Sequence, residues 1–258
     1  MPENIKILGE RNSGTNFLAA ILRGNFAVTI YPNADNLSPV VNYVSRQKYL
    51  PQFLRYRFME SSYNTDHLRR LATTGGWKHA CITPRFLDTF ARPNACHVLC
   101  IVRHPLAWAR SMHKVPFHVS GRVSQDFSTF LNTPWRTRPR DELGSITLAS
   151  PLCLWREKVQ SYQRAAKTYE KLRIIRYEDL VLETEKTLDE LGQKFPRKHR
   201  DIRIPMHDPR ALVRSPEKFP DYQKKARATV FSELTPQAFT PFKTHIGTDL
   251  MHSFGYTV

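Results

Sequence analysis

Acidic residues are scarce in this chain: 23 Asp and Glu stand against 39 Lys and Arg, a formal charge of +16 over 258 residues. Such an excess leaves three classes of partner open: nucleic acid, an anionic membrane surface, or small polyanionic ligands. There is no recognition-helix, zinc-finger or RNP-type motif, which argues against nucleic acid as the partner. The four cysteines, Cys81, Cys96, Cys100 and Cys153, form no C-x-x-C pair, so free thiols in a reducing compartment are expected rather than disulfides or metal ligands. The ten histidines show no H-E-x-x-H spacing, and no metal site is expected. No apolar run approaches the roughly 20 residues that cross a bilayer. The first residues also lack a secretory apolar region, so a soluble, cytoplasmic protein with no membrane span is expected. Internal repeats and low-complexity tracts are absent, and the length suits one α/β domain over residues 1–258.

Gly9-Glu10-Arg11-Asn12-Ser13-Gly14-Thr15-Asn16, after the apolar stretch Ile5-Lys6-Ile7-Leu8, reads as strand, tight loop and helix. Phe17, Leu18, Ile21 and Leu22 would share one face of that helix. Such a loop aims backbone N–H groups into one concavity backed by a helix N-terminus, an anion cradle. Gly9 and Gly14 have the G-x-x-x-x-G spacing of a nucleotide phosphate loop. The next two positions, Thr15 and Asn16, lack the Lys and the Ser/Thr that a Mg²⁺-dependent triphosphatase needs. The cradle therefore suits an anionic nucleotide handled without Mg²⁺.

Further along, Phe26–Tyr31 reads as a strand, a short helix is expected near 65–72, and 77–82 reads as a third short strand. His97–Val102 is a continuous apolar run, as in a strand covered on both faces. A helix should start at Pro105 and run through Met112, with a short one near 125–131. From 151 to 172 the apolar positions Trp155, Val159, Tyr162, Ala166 and Tyr169 form a helical stripe. Residues 172–177 read as a strand and 184–195 as a helix. Segments 32–75 and 114–150 read as insertions shaping an acceptor pocket or lid, and 192–228 as a basic, loop-rich flap. Alternating strands and helices predict an α/β fold: a mainly parallel sheet flanked by helices on both faces, a three-layer arrangement like that of P-loop NTPases.

Three motifs fall at strand ends: the Ser13-Gly14-Thr15 loop, Arg103-x-Pro105 with Ser111 eight residues after the arginine, and Tyr177-Glu178-Asp179-Leu180. Ligands of doubly wound sheets bind at the carboxyl ends of strands, so the three can converge. Together they resemble the sulfotransferases that use 3′-phosphoadenosine 5′-phosphosulfate (PAPS). The resemblance covers residues 5–180. It implies that Arg11, Asn12, Ser13, Gly14, Thr15 and Asn16 receive the 5′-phosphosulfate. Arg103 and Ser111 would grip the 3′-phosphate, and Tyr177 would lie near the adenine. It also implies sulfuryl transfer to a hydroxyl or amine of a small molecule or carbohydrate, leaving adenosine 3′,5′-bisphosphate (PAP). In that family a Lys and a His often follow a strand, and Trp77-Lys78-His79 is the nearest match. His79 is then the expected general base and Lys78 the electrostatic stabiliser, with Glu10, Glu60 and His113 as rival bases. Two departures stand out. Asn12 occupies the place of a family Lys, leaving Arg11 or Lys78 to supply that charge. No Gly-rich basic motif is evident near the end of the sequence, where Lys224, Lys225 and Arg227 are the candidate substitutes. A degenerate P-loop phosphotransferase and a non-catalytic polyanion binder are the alternatives.

Overall fold

The computed structural model describes residues 2–33, 43–44, 47, 49–116, 123–204, 219–229 and 233–256. Its strands are β1 (Glu3–Gly9), β2 (Val28–Ile30), β3 (His97–Val102), β4 (Trp135–Arg136), β5 (Thr147–Leu148) and β6 (Leu172–Arg176). The helices used below are α1 (Thr15–Asn25), α2 (Gln52–Arg69), α3 (Pro105–Lys114), α4 (Pro151–Ala166), α5 (Tyr177–Leu182), α6 (Thr184–Gly192) and α7 (Phe219–Arg227). β2, β1, β3 and β6 lie in that order in one parallel sheet. β4 and β5 pair antiparallel in a small hairpin.

Alternate residues of the central strands feed two cores. Ile5, Ile7, Leu99, Ile101 and Ile175 pack against Phe17, Leu18, Ile21 and Leu22 of α1 and against Leu180, Leu188 and Leu191 beyond β6. Leu8, Val98, Cys100 and Val102 pack on the other face, under Leu106, Trp108 and Met112 of α3 and Trp155, Val159 and Tyr162 of α4. This is the three-layer α/β arrangement that the continuous apolar run at 97–102 predicts. Each such side chain buried contributes about 1.5–3 kcal/mol.

The register decides where function can sit. Gly9 pairs with Ile101 and Ile101 with Ile175, so Glu10, Arg103 and Tyr177 leave the sheet at the same end. β2 and β3 flank β1 on opposite sides, so the crevice beyond β1 and β3 is the topological switch point.

Four expectations need correction. Residues 77–82 are not a strand, because side chains take their backbone groups instead of a neighbouring strand. Trp77 N–H donates to His67 Nδ1 (2.9 Å), Lys78 N–H to Asn33 Oδ1 (3.0 Å) and Ile82 N–H to Ser161 Oγ (3.0 Å). The short helix near 65–72 is the end of the 18-residue α2, followed by a separate turn of helix at Leu71–Thr74. Periodicity hides α2, because its Leu54, Phe58 and Leu68 face solvent while Glu60 and His67 are buried. The α4 stripe closes with Ala165, since Ala166 is exposed. The 192–228 stretch includes helix α7, which bonds to the sheet-side layer through Gln223 Nε2–H and the Val181 carbonyl (3.1 Å); residues 205–218 lie outside the described residues. The four cysteines are buried and free. Among the described residues, no helix is long and apolar enough to cross a membrane.

Candidate functional site

The loop from Gly9 to Thr15 keeps its shape for steric reasons. A Cβ on Gly9 would stand 2.7 Å from the Ile101 carbonyl oxygen. Gly14 has φ 94°, and a Cβ there would meet the Tyr177 ring at 2.6 Å. Asn12 has φ 61°, a left-handed conformation that Asn tolerates better than most side chains. Its Nδ2 donates to Met112 Sδ (3.2 Å) and to the Val115 carbonyl (3.2 Å), tying the loop to the end of α3. Asn12, the least expected residue of the loop, is thus explained by backbone conformation and anchoring rather than by charge.

The loop splits its side chains between inside and outside. Arg11 and Ser13 are buried at 2% and 1% exposure, whereas Asn16 is exposed at the start of α1. The Ser13 N–H is satisfied by the Glu10 carbonyl (3.1 Å), and the Arg11 N–H by Glu10 Oε1 (2.7 Å). The first helical bond of α1 runs from Leu18 N–H to the Gly14 carbonyl (3.0 Å). The N–H groups of Thr15, Asn16 and Phe17 therefore precede the helical ladder and face the loop mouth. From beneath, Trp108 Nε1–H donates to the Arg11 carbonyl (2.8 Å).

Arg103 joins the second and third motifs to the first. Its Nη1 donates to the Asn12 carbonyl (3.0 Å), and its guanidinium lies 4.8 Å from the centre of the Tyr177 ring. Its Nε is buried with no partner. The Arg103 carbonyl accepts from Trp155 Nε1–H (3.0 Å). Tyr177 is buried against Gly14, and burial pushes its phenol up to about 12, against the pull of Arg103, so it stays neutral. Ser111 sits half-buried in α3, one residue before Met112. Glu178 braces the strand end: its oxygens accept from the His104 N–H (2.9 Å) and the Tyr256 hydroxyl (3.1 Å).

Lys78 and His79 reach the same loop from the other side. The Gly9 N–H donates to the Lys78 carbonyl (3.0 Å), and Lys78 Nζ donates to Asn16 Oδ1 (2.7 Å) at the start of α1. His79 Nδ1 lies 2.5 Å from the Gly9 carbonyl. A carbonyl only accepts, so Nδ1 carries the proton and Nε2 is the basic nitrogen. Burial, with Lys78, Arg11 and Lys158 nearby, holds the imidazole well below its ordinary 6.5. It is therefore neutral at physiological pH.

Below the site lies a lattice of buried charge. Arg11 bonds Glu10 (2.9 Å) and Asp141 (3.1 Å), and Lys158 bonds Asp141 (2.7 Å) and forms an ion pair with Glu10 (2.6 Å). Arg140 grips Glu60 with both terminal nitrogens, at 2.9 and 3.0 Å. The indole of Trp77, itself 0% exposed, has Arg11, Arg140 and Lys158 at 4.8, 4.6 and 5.3 Å from its ring centre. Burial alone would raise Asp141, but Lys158 and Arg11 outweigh it and hold the carboxyl well below the usual range. Glu10 and Glu60, the rival bases, are committed to these cations. His113 is also engaged elsewhere, with Nε2 bonded to the Ser124 carbonyl (2.8 Å). Lys224, Lys225 and Arg227 lie on the exposed face of α7.

Sequence reasoning missed Asp141, Arg140 and Lys158. Lys158 had a signal: it falls three residues after Trp155 and four before Tyr162, on the apolar face of α4. Among the described residues, no group of three or more His, Cys, Asp or Glu side chains gathers as for a metal ion.

No family model and no curated protein matches the sequence. Solved structures that the chain is similar to include mouse sulfotransferase SULT7A1 complexed with PAP, at 15% identity and TM-score 0.49, covering 97% of this chain and 85% of that one. A sulfotransferase domain from the curacin biosynthetic pathway gives 14% and 0.45, covering 100% and 99%. A sulfotransferase domain from the Synechococcus PCC 7002 olefin synthase gives 14% and 0.46, covering 100% and 96%.

Proposed function

We propose that this chain is a sulfotransferase that moves a sulfuryl group from PAPS to a hydroxyl or amine of a small-molecule or carbohydrate acceptor. The observation that carries the reading is the bond from Arg103 Nη1 to the Asn12 carbonyl at the switch point. It locks an anion loop without triphosphate equipment to a second anion-binding side chain. PAPS has separated 5′ and 3′ anionic ends, so a donor site needs two such groups. Arg103 Nε has no partner among the described residues, which suits a guanidinium that completes its bonding on a phosphate.

The geometry supports the following roles. The N–H groups at the start of α1 receive the 5′-phosphosulfate, with the helix dipole behind them. Lys78, held at Asn16, supplies the positive charge that stabilises the departing bisphosphate. The buried Arg11 gives shape to the loop from below, leaving the charge role to Lys78. Arg103, with Ser111, takes the 3′-phosphate through charge-assisted bonds. Tyr177 supports Gly14 and stacks under Arg103. His79 Nε2 accepts the proton of the acceptor hydroxyl or amine as its oxygen or nitrogen bonds to sulfur. The bond from sulfur to the bridging oxygen of the 5′-phosphate breaks, and PAP leaves with that electron pair.

Adenosine 3′,5′-bisphosphate without Mg²⁺ should stabilise the fold. Saturation at 100 times Kd is worth about 2.7 kcal/mol, or roughly 5–10 °C in melting temperature. A shift with ATP and Mg²⁺ but none with the bisphosphate would replace this reading by a phosphotransferase. Salt-sensitive capture of an anionic polymer, with neither nucleotide bound, would replace it by a polyanion binder.

A further inference from the structure

We infer that Lys158 is a positioning residue for the transfer reaction: it holds the Lys78–His79 segment so that His79 meets the Gly9 carbonyl through Nδ1 and keeps Nε2 for the acceptor. The inference rests on the reading of His79 as the base.

The segment around His79 is not a strand and meets the sheet at Gly9, and groups from several other elements hold it. Lys158 is the charged one among them. Its ammonium donates to the His79 carbonyl in a short bond and to Asp141 Oδ1 (2.7 Å), and it stands in ion-pair contact with Glu10 Oε2 at 2.6 Å. Two of its three N–H donors are thus fixed on the His79 carbonyl and Asp141, and the charge itself faces Glu10. The side chain is 0% exposed, so water offers no substitute. Its helix also holds the next turn: the Lys158 carbonyl accepts from Ser161 Oγ (2.7 Å), and Ser161 Oγ accepts from the Ile82 N–H. Asp141 adds a further tie, because its carbonyl accepts from the Cys81 N–H (2.9 Å).

One cation thus joins the first residue of the anion loop, the backbone of the base and the turn at Arg138–Glu142. A mere ion pair would need only Glu10 and Asp141. The bond to the His79 carbonyl is the part that bears on chemistry, because it fixes the residue whose ring must present one nitrogen and not the other. The groups facing His79 are Lys78 beside it, Arg11 and Lys158 from the loop and α4, the Gly9 carbonyl and the Trp77 ring. Glu10 and Asp141 stand behind Lys158.

The test reads the His79 imidazole by ¹⁵N-detected NMR on the full chain. The wild type should show a single Nδ1–H tautomer, together with a slowly exchanging Lys158 ammonium signal. Lys158→Met alone strands two carboxylates, so it is paired with Glu10→Gln to keep the lattice neutral. In this double variant, with a cooperative melt as the check on folding, the single tautomer should be lost and the imidazole should titrate at higher pH. A folded double variant that keeps the Nδ1–H tautomer at the wild-type titration point would overturn the inference. So would a wild type with Nε2–H or mixed tautomers, which needs no variant to fold. Undiminished transfer by His79→Gln is a separate result: it removes the base and leaves the tautomer measurement standing.

Discussion

With Nη1 held by the loop and Nε buried without a partner, Arg103 is the side chain on which nucleotide affinity should turn most steeply. Bonds to a charged group are worth about 1.5–3 kcal/mol. Arg103→Ala should therefore weaken adenosine 3′,5′-bisphosphate about 10- to 100-fold by isothermal calorimetry, and undiminished binding would remove it from the site. Arg11 takes a place that its sequence context does not suggest. Its position beside Ser-Gly-Thr suggests a phosphate ligand, yet its guanidinium is buried on Glu10 (2.9 Å) and Asp141 (3.1 Å), whose charges offset its loss of water. That Lys78 and His79 lie against the phosphate loop was legible, since Trp77-Lys78-His79 reads as part of the same site, although not that they do so without forming a strand. Lys158 was not, since a lysine reads as solvent-facing unless its helical phase is checked.

At the level of elements, strands β1, β3 and β6 and helices α1 and α4 announce themselves through apolar runs or stripes, because their burial is continuous. Helix α2 does not, because it buries Glu60 and His67 against Arg140 and Glu142 and exposes Leu54 and Phe58. Polar burial has no period that a sequence reveals. The loop between β1 and α1 is the element whose geometry is least tolerant of change. Gly14→Ala combines a left-handed backbone with contact at 2.6 Å on the Tyr177 ring. It should cost about 2 kcal/mol or more. Asn12→Gly keeps the backbone conformation accessible and loses only two weak anchors, so its cost should stay near 1 kcal/mol. Urea melts of the two variants give the comparison, and equal losses would show that conformation is not what fixes the loop.

For the molecule as a whole, buried neutral histidines set the acid limit. His79 is held well below 6.5, and His104 is lowered to about 4, by burial and by Arg176, Arg103 and Arg110. A histidine depressed in the folded state takes up its proton more readily when unfolded. Its contribution is complete above the ordinary value of 6.5 and is lost as pH falls towards the folded value. His104 alone accounts for about 3 kcal/mol at most across that span. The melting temperature should therefore be flat above pH 7 and fall between about 6.5 and 4, with His104→Asn softening the fall. A flat profile through that window would show that neither ring is buried neutral. The three-layer order of the sheet was readable from strand pattern alone, but the lattice beneath the site was not, since its carboxylates and cations come from segments far apart in sequence. That lattice and its surroundings hold Trp77 among three cations, Trp108 on the Arg11 carbonyl and Trp155 on the Arg103 carbonyl. Three indoles, all but sealed from water, thus watch both ends of the crevice. A ligand settling there changes the electric field at each of them, so the chain's own ultraviolet emission becomes a label-free gauge of occupancy.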